Sequence, residues 1–492
     1  MGKKTVTTAL GVVAALAVAV PGTHAGTAHA AFICDGPQAP SYTDFDNDGK
    51  ADAVVGVPGE DIGGAKDAGR VEVRYGNGKV QGLHLPKPKA GDRFGTAAIG
   101  FALGAGSMCG DLLVGVPGRD VGGRADAGAV AVFVGTPNGL SYAFTDTQYY
   151  DDDHEEHIPG DLRAGARLGA TLATGPSTPV EGGTETTVYI GAPGTTVGGK
   201  KGAGAVARTT YRTSSDEAET TISGTLFTEG THGVPGPAGA GDEFGASIAA
   251  NGALIGAPGR TVNGRADAGA AYAAVTGGDT YRRVTQDSDG VPGTAEAGDR
   301  FGAAVLRPNG GERAYVGAPG ESIGSLAGAG SVLSFDASGL GADGPVGVAI
   351  GYRQGTPDVV GTAEAGDHFG ASLGQAFGSG TVAGAPGEDV GSVRDAGAVF
   401  ALGPIKSEVR SWSQRTAGVP GTPEPGDRFG AVLGRRGAAT LVGIPGENSG
   451  AGSTLVGLPG PDVLAPSVGW HQESGASESG DGFGAALTDT YN

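Results

Sequence analysis

The amino-acid sequence predicts an all-β protein, a seven-bladed β-propeller closed by pairing of its N- and C-terminal strands. Two short motifs recur seven times each, and the segments between them resemble short β-strands. Glycine accounts for 98 of the 492 residues, but it does not fall at every third position, which excludes a collagen triple helix. Hydrophobic residues make up 38 %, which is too many for a solvated coil without a core.

The two motifs are Gly-Asp-x-Phe-Gly and Gly-(Ala/Val/Ile)-Pro-Gly. The first starts at Gly91, Gly241, Gly298, Gly366, Gly426 and Gly480, and a degenerate copy reads Gly165-Ala166-Arg167-Leu168-Gly169. The second starts at Gly56, Gly115, Gly191, Gly256, Gly317, Gly384 and Gly443. Successive copies of the second motif start 59 to 76 residues apart. A period of this kind is typical of repeat proteins, so we expect seven structural repeats.

Each repeat contains four short apolar segments separated by glycine turns, which is the pattern of a propeller blade. The first Pro-Gly motif has no Phe-Gly motif before it, and the last Phe-Gly motif has no Pro-Gly motif after it. We therefore expect a C-terminal strand at 485–488 to complete the blade that strands within 53–75 begin. Closure of this kind leaves no sheet edge open for aggregation.

The N-terminus has the pattern of a secretion signal at residues 1–30. Lys3 and Lys4 precede an apolar stretch at 9–20, and Ala28-His29-Ala30 offers a cleavage site. The apolar stretch is too short to span a membrane. We therefore expect a secreted, extracellular protein without membrane insertion, with an N-terminal arm at 31–43 and the propeller at 44–492.

Charge and cysteine content narrow the classes of partner. The net charge of −20 opposes binding to phosphate backbones and anionic lipids, so nucleic acid is excluded as a partner. Divalent cations and basic partners fit this charge better. The two cysteines, Cys34 and Cys109, are expected to form a disulfide in an oxidising compartment, and two buried free thiols are the alternative.

The alternating motifs resemble the FG-GAP repeats of the integrin α-subunit N-terminal propeller and of secreted bacterial FG-GAP proteins. The resemblance covers residues 44–492. It implies a seven-bladed propeller with calcium bound in blade loops and a role in adhesion or ligand binding. The third repeat departs from the family pattern at Ala166 and Leu168, so an irregular blade is expected there.

A calcium loop is predicted at residues 44–52, which read D-x-D-x-D-G-x-x-D. The expected ligands are the carboxylates at positions 1, 3, 5 and 9 and the carbonyl at position 7: Asp44, Asp46, Asp48, Lys50 and Asp52. Gly49 permits the sharp turn, and Val55 stands where an EF-hand would carry its bidentate Glu. We expect Ca²⁺ to clamp the blade at which the ring closes, and an acidic turn without an ion is the alternative.

Other acidic and polar residues recur with the repeat, which favours structural roles. The aspartates of the first motif could form a ring of ligands, but we expect them to accept backbone N–H bonds within their own turns. They are Asp92, Asp242, Asp299, Asp367, Asp427 and Asp481. Gln286, Gln354 and Gln414 each precede a motif Phe by 15 residues, which indicates a recurrent hydrogen bond at a strand end.

Two segments have catalytic or metal-binding signatures. Ser372 lies in a G-x-S-x-G sequence, but within a repeated strand rather than the strand-to-helix turn that a nucleophile elbow requires. The segment Asp151–His157 contains His154 and His157 among carboxylates and occupies the widest spacing between repeats. It could bind a transition metal, although a solvated acidic loop outside the β framework is the favoured interpretation.

Two classes of function remain. The favoured class is a monomeric binding or adhesion module, not an enzyme, whose partner is an extracellular protein or glycan. The alternative is a secreted hydrolase or lyase with an active site at one face of the propeller. The fold does not decide between them. Active sites usually break repeat symmetry, and His154 and His157 form the one sequence cluster that does so.

Overall fold

The computed structural model describes residues 42–103, 109–149, 157–181, 183–214, 220–275, 280–308, 311–338, 340–341, 343–376, 380–402, 411–459, 467–473 and 477–488. Within these ranges the chain forms seven four-stranded antiparallel sheets, arranged as the blades of a propeller. The predicted fold class is therefore confirmed. The predicted signal segment at 1–30 lies outside the described residues, as does most of the predicted arm at 31–43.

The strands of the first three blades follow the order of the chain, apart from one strand that the C-terminus contributes. Blade 1 contains β1 (Ala53–Val57), β2 (Arg70–Arg74) and β3 (Val80–Leu83). Blade 2 contains β4 (Ala98–Phe101), β5 (Asp111–Val116), β6 (Ala129–Val134) and β7 (Ser141–Asp146). A two-stranded parallel sheet follows, with β8 (Gln148–Tyr149) and β9 (Ile158–Asp161). Blade 3 contains β10 (Thr171–Val180), β11 (Gly183–Ala192), β12 (Ala205–Ser214) and β13 (Thr220–Phe227).

The remaining blades repeat the four-stranded pattern. Blade 4 contains β14 (Ser247–Ile248), β15 (Leu254–Ala257), β16 (Ala270–Ala274) and β17 (Tyr281–Val284). Blade 5 contains β18 (Ala304–Leu306), β19 (Arg313–Ala318), β20 (Ser331–Asp336) and β21 (Ala349–Tyr352). Blade 6 contains β22 (Ser372–Gln375), β23 (Thr381–Ala385), β24 (Ala398–Leu402) and β25 (Ser411–Trp412). Blade 7 contains β26 (Val432–Arg436), β27 (Ala439–Ile444), β28 (Ser453–Val456) and β29 (Val468–Trp470).

The last described strand, β30 (Ala486–Leu487), closes the ring by joining blade 1. It pairs antiparallel with β1 and places Gly56 opposite Ala486. The backbone N–H of Thr488 donates to the carbonyl of Val54 (3.2 Å), which extends the pairing by one residue. The predicted completion of the first blade by the C-terminal strand is therefore confirmed.

The apolar core lies between neighbouring blades. In the described part of the chain, buried side chains form seven main clusters, one at each joint between two blades. The motif phenylalanines contribute one ring to each joint, and Leu168 takes this place in the degenerate copy. They are Phe94, Phe244, Phe301, Phe369, Phe429 and Phe483, and all are at most 1 % exposed. Burial of such a ring stabilises a joint by about 2–3 kcal/mol.

Glycine is required at the joints for two reasons, as Gly69 and Gly115 illustrate. Gly69 has a φ of +84° and forms a bridge to Phe94, whose carbonyl oxygen would lie 2.2 Å from an added Cβ. Gly115 has no positive φ, but an added Cβ would lie 1.9 Å from the carbonyl oxygen of Gly169 on the next blade. Some of the recurring glycines are therefore required by a left-handed backbone, and others are required by the close approach of two chain segments.

Blade 3 is irregular, as expected, because its strands are longer than those of the other blades. They contain ten, ten, ten and eight residues, compared with two to six elsewhere. Leu168 is fully buried and bridges to Gly128, so this blade keeps its joint to blade 2 without the motif Phe. Outside the strands, the described ranges contain a 3₁₀ turn at Ala250–Gly252 and one helical turn at Glu447–Gly450. None of the described helices has the length and apolar character needed to cross a membrane.

Antiparallel strand order places alternate connections at opposite ends of each blade. The segment at 44–52 and the tip of blade 3 at 180–183 precede second strands, and they share one end, which we call the hairpin face. The Pro-Gly turns and the Phe-Gly motifs lie at the other end, which we call the motif face.

Candidate metal centre

The predicted calcium loop brings three of its aspartates together. One oxygen from each of Asp44, Asp46 and Asp48 lies within 4.8 Å of the others. The Asp44 carboxylate accepts N–H bonds from Asp48 (3.0 Å) and Gly49 (2.8 Å), so the first residue of the loop holds its turn. Asn47 and Gly49 have φ values of +56° and +81°, which fits the residue types that tolerate left-handed backbone.

These three aspartates fit a hard divalent cation. Asp46 Oδ1 is buried and has no hydrogen-bond partner in the described part of the chain, while Oδ2 accepts a bond from Asn77 (2.7 Å). Burial raises the pKa of Asp44 and Asp46, and the charge of Asp48 raises the pKa of both further. Bound Ca²⁺ would relieve this repulsion and would use the unpaired oxygen, because it takes carboxylate ligands in flexible geometry.

Asp52 is placed differently from the other three aspartates. Its side chain is fully buried and accepts backbone N–H bonds from Phe45 (2.7 Å) and Gly76 (2.8 Å). Asp111 in blade 2 accepts two backbone bonds in the same way (2.6 and 2.9 Å), although blade 2 lacks the aspartate series. An aspartate at this position thus accepts two backbone N–H bonds in both blades, including the blade that lacks the other aspartates of the loop. Burial raises the pKa of Asp52 to about 7. Lys50 and Asp52 stay predicted ligands.

The motif aspartates hold their own turns, as predicted. In each intact copy one carboxylate oxygen accepts the backbone N–H of the residue three positions earlier. The donors are Lys89, Gly239, Glu296, Glu364, Glu424 and Glu478, at 2.5–2.8 Å. All six aspartates are at most 4 % exposed. The bonds position each Phe-Gly pair for the joint that follows.

The recurrent glutamines donate to a glutamate on the next blade, which confirms a recurrent hydrogen bond and identifies its partner. Each glutamate directly follows a Pro-Gly turn. The pairs are Gln286–Glu321, Gln354–Glu388 and Gln414–Glu447. Gln472 donates to Glu60 in the same way, although it stands 11 residues before its motif Phe instead of 15. Burial raises the pKa of Glu321, Glu388 and Glu447 to about 7, and the nearby motif aspartate raises it in the same direction. These glutamates were missed by sequence reasoning, although their position after Pro-Gly recurs.

Two joints have an arginine in place of this glutamate. Arg119 Nη1 lies 2.6 Å from Asp92 Oδ2. Arg260 Nη1 lies 2.6 Å from Asp242 Oδ2 and 2.7 Å from Glu229 Oε2. Glu229 stands 15 residues before Phe244, so it holds the position of the glutamines. At this joint the carboxylate therefore stands at the position of the glutamine, and an arginine stands at the position of the glutamate. The two positions remain in contact.

An acid–histidine pair connects the end of β7 in blade 2 with the insertion that follows it. His157 Nδ1 lies 3.2 Å from Asp146 Oδ1, and burial raises the pKa of Asp146. Tyr211 is fully buried, and both burial and the charge of Asp146 raise its pKa. Residues 150–156, including His154, lie outside the described residues. The strands β8 and β9 flank this segment, and the predicted loop outside the β framework stays a prediction.

The remaining candidates have structural placements. Ser372 lies in β22 and donates to the carbonyl of Gly430 (2.6 Å), so it forms a hydrogen bond across a joint, as Ser247 does with Gly302 (2.8 Å). Cys109 is buried, whereas Cys34 lies outside the described residues, so their disulfide stays a prediction. Trp412 and Trp470 lie in the fourth strands of blades 6 and 7.

Trp470 also connects blade 7 to blade 1, which the sequence did not indicate. The guanidinium of Arg74 lies 5.3 Å from the centre of its ring, and that of Arg436 lies 5.5 Å from it. Arg74 pairs with Glu72 (2.5 Å) and Glu473 (2.7 Å). Cation–π contacts and ion pairs thus reinforce the joint at which the ring closes.

Comparison with known proteins finds a match to one family model and similarity to solved structures. The model of the FG-GAP repeat family matches residues 37–73. Among solved structures, the chain is similar to the periplasmic gluconolactonase PpgL of Pseudomonas aeruginosa, with 14 % identity and a TM-score of 0.40 over 85 % of this chain and 95 % of that one. It is also similar to the extracellular domain of a one-component system of B. thetaiotaomicron, with 8 % identity and a TM-score of 0.31 over 86 % of this chain and 47 % of that one. No curated protein matches.

The FG-GAP match and the seven blades carry the classification, and the similarities to solved structures are too low to bear on activity. The matched segment spans the aspartate loop, β1 and most of β2. Pro-Gly turns recur in the other six blades, and a motif Phe, or Leu168 in the degenerate copy, bridges to a glycine of the preceding blade at the joints. The chain therefore contains an FG-GAP repeat at residues 37–73 within a seven-bladed β-propeller.

Proposed function

We propose that this protein is a secreted, calcium-stabilised β-propeller that acts as a binding or adhesion module for an extracellular protein or glycan. The observation that carries the proposal is the use of its buried carboxylates. They recur at equivalent positions of successive joints and bond to backbone groups, glutamines or arginines. An active site instead needs singular groups that converge on one place. We infer that the repeated carboxylates stabilise the joints between blades, and that the surface of the propeller binds the partner.

Blade 3 is the part of the surface best suited to recognition. Its hairpin strands extend further than those of any other described blade, and the residues near their tip are largely half-buried or exposed. Hydroxyl side chains line the extension, and Thr187 and Thr210 (3.2 Å) face each other across neighbouring strands. A rigid sheet bearing hydroxyl groups suits the hydrogen-bonding groups of a glycan or a polar protein surface.

Calcium has a stabilising role in this proposal. The loop at 44–52 leads directly into β1, which pairs with β30 at the closure. Bound Ca²⁺ would neutralise the aspartates of the loop and fix the start of β1. The net charge of −20 favours basic partners over acidic ones, and the pattern at residues 1–30 supports export.

The alternative is a secreted hydrolase or lyase, and one pair of residues favours it. Asp146 is buried and oriented towards His157, whose side chain is 38 % exposed, so the imidazole could act as a general base held by a carboxylate. This pair occurs once and breaks the repeat symmetry. Hydrolysis of glycan or ester substrates that is lost in His157→Gln, with folding unchanged, would support the alternative.

The test of the binding proposal is a screen of the mature chain against glycan and extracellular-protein arrays, with Ca²⁺ and with EGTA. A matched variant replaces Thr178–Glu185 by Asn-Gly, which shortens the blade 3 hairpin because Ser177 and Thr186 are already paired. We expect a ligand that the wild type binds and the shortened variant does not, at equal thermal stability. Binding that is independent of blade 3 would move the site elsewhere, and absence of any ligand would count against the module.

A further inference from the structure

We propose that a second kind of cation site lies at the joint between blades 6 and 7, formed by Gln414, Asp427 and Glu447, and that it binds Ca²⁺. This site is on the motif face and is separate from the loop at 44–52, which is on the hairpin face. The proposal is independent of the binding function proposed above.

Two oxygens of this cluster are buried without a hydrogen-bond partner among the described residues. They are Gln414 Oε1 and Asp427 Oδ1. The exposed fractions of Gln414, Asp427 and Glu447 are 6 %, 0 % and 7 %. Gln414 Nε2 donates to Glu447 Oε2 (2.5 Å), which fixes the amide within the cluster. Buried oxygens are rarely left without a partner, so this cluster is missing a donor or a cation.

The joint between blades 3 and 4 shows a cation in the equivalent place. Arg260 directly follows its Pro-Gly turn, as Glu447 does. Arg260 Nη1 lies 2.6 Å from Asp242 Oδ2, 2.7 Å from Glu229 Oε2 and 2.9 Å from the carbonyl oxygen of Pro237. Asp242 and Glu229 are the repeat counterparts of Asp427 and Gln414. A positively charged nitrogen of Arg260 therefore lies among three oxygens. The residue position that supplies it, directly after the Pro-Gly turn, recurs in the other blades.

The joint between blades 1 and 2 repeats this arrangement. Arg119 Nη1 lies 2.6 Å from Asp92 Oδ2 and 3.1 Å from the carbonyl oxygen of Lys87. Lys87 and Pro237 both stand five residues before the motif aspartate, and Thr422 is the counterpart in blade 7. Both arginines thus place positive charge between the aspartate and the same backbone carbonyl. The repeat geometry contains a cation position, which the chain fills with its own side chain at these two joints.

At the joint of blades 6 and 7 the arginine is replaced by glutamate. Within the described ranges, no lysine or arginine forms an ion pair or hydrogen bond with Gln414, Asp427 or Glu447. The cluster offers two carboxylates and an amide oxygen, which are ligands that Ca²⁺ prefers, and the Thr422 carbonyl is the repeat counterpart of the one that each arginine contacts. The absence of nitrogen and sulfur ligands disfavours zinc and copper.

A cation satisfies the cluster better than the two simpler occupants. A buried water could donate to Gln414 Oε1 and Asp427 Oδ1, but it would leave the two carboxylates without a counter-charge. A proton shared between Asp427 and Glu447 would reduce the charge but would leave Gln414 Oε1 without a donor. A divalent cation would both neutralise the two carboxylates and coordinate Gln414 Oε1.

Two further joints have the same composition, which makes the site a repeated one. Gln354, Asp367 and Glu388 form the cluster between blades 5 and 6, and Gln286, Asp299 and Glu321 form the one between blades 4 and 5. The Oε1 atoms of both glutamines are again buried without a partner among the residues described. We expect these clusters to bind Ca²⁺ in the same way.

The test is calcium titration of the full-length mature chain carrying Asp46→Ala, which removes the loop site. Calorimetry on calcium-stripped protein should give more than one bound Ca²⁺ per chain in this background. Adding Glu447→Arg, which copies Arg119 and Arg260, should lower the stoichiometry by one and raise the melting temperature in EGTA. A chain with Asp46→Ala that binds no Ca²⁺, or an unchanged stoichiometry after Glu447→Arg, would overturn the proposal.

A second variant keeps the test decisive where the arginine prevents folding. Gln414→Met keeps the volume of the side chain and removes Oε1, and it should weaken one Ca²⁺ site about tenfold or more with an unchanged circular dichroism spectrum. Glu312→Gln, at an exposed position, is the matched control and should leave both stoichiometry and affinity unchanged. Equal Ca²⁺ affinity in Gln414→Met and wild type would assign the cluster to buried water or a shared proton.

Discussion

Leu487 lies directly opposite Val55, so the C-terminal strand β30 completes the sheet that β1 begins. Both residues belong to the cluster of buried side chains between blades 7 and 1, together with Phe483. The backbone N–H of Val54 also donates to Thr488 Oγ1, across 434 positions of the chain (3.3 Å). The ring is therefore closed by contacts that no local folding event can form.

Deletion of residues 479–492 tests this closure. The truncation removes β30 and Phe483, which is fully buried, and exposes the edge of β1. Loss of a buried phenylalanine alone costs about 3–5 kcal/mol, so we expect a lower urea midpoint and aggregation in size-exclusion chromatography. Deletion of 489–492 alone is the control and should leave stability unchanged. A soluble, equally stable truncation at 479 would contradict closure by β30.

The calcium loop is tested by Asp46→Ala. Asp46 supplies the unpaired buried oxygen of the loop, so its loss should remove one Ca²⁺ per chain and reduce the stabilisation that Ca²⁺ provides. One site at a Ca²⁺ concentration of about 100 times its Kd contributes about 2.7 kcal/mol. The measurement is the difference in melting temperature between Ca²⁺ and EGTA. Asp61→Ala, at an exposed position, is the matched control. An unchanged stoichiometry would exclude residues 44–52 as a calcium site.

The period of the sequence was sufficient to predict the blades, their joints and the closure. Phe301 and Gly302, for example, repeat with their neighbours because each joint requires the same ring and the same close approach. The polar pairs could not be predicted in the same way. Gln354 and Glu388 are 34 positions apart on different blades, and periodicity identifies recurring positions without showing which of them touch.

The longer strands of blade 3 also could not be predicted from the sequence. The replacement of the motif residues by Ala166 and Leu168 indicated an irregular repeat, but it did not show whether the extra residues of this repeat form loops or longer strands. Thr184 and Thr213 are paired in β11 and β12, which shows that part of the extra length became sheet. Threonine favours strands, yet propensity alone does not specify a register.

The pH dependence of stability is tested at Glu229. Burial and the nearby Asp242 raise the pKa of Glu229 from 4.5 to about 8, in spite of Arg260. Between pH 4.5 and 8 the folded chain retains a proton that the unfolded chain has lost, so the free energy of unfolding should fall as pH rises. Melting temperatures in calcium-free buffer from pH 5 to 9 should show this fall, and Glu229→Gln should reduce it. Glu312→Gln, which is exposed, is the control, and equal slopes in Glu229→Gln and wild type would contradict the assignment.

Arg260 and Glu229 allow a test of whether their joint is equivalent to the joint that contains Gln414 and Glu447. Arg260→Glu places a third carboxylate beside Glu229 and Asp242 and removes the positive charge that pairs with both. Breaking a buried ion pair in this way costs about 3–5 kcal/mol, so the single variant should be strongly destabilised.

The double variant Arg260→Glu with Glu229→Gln recreates the Gln–Glu pair of the Gln414 and Glu447 joint. We expect it to recover most of the lost stability in Ca²⁺, and less of it in EGTA, because its two remaining carboxylates then need a cation. The measurement is a double-mutant cycle of urea unfolding in both conditions. Additive single effects would mean that the two positions act independently, and the equivalence of the joints would then be wrong.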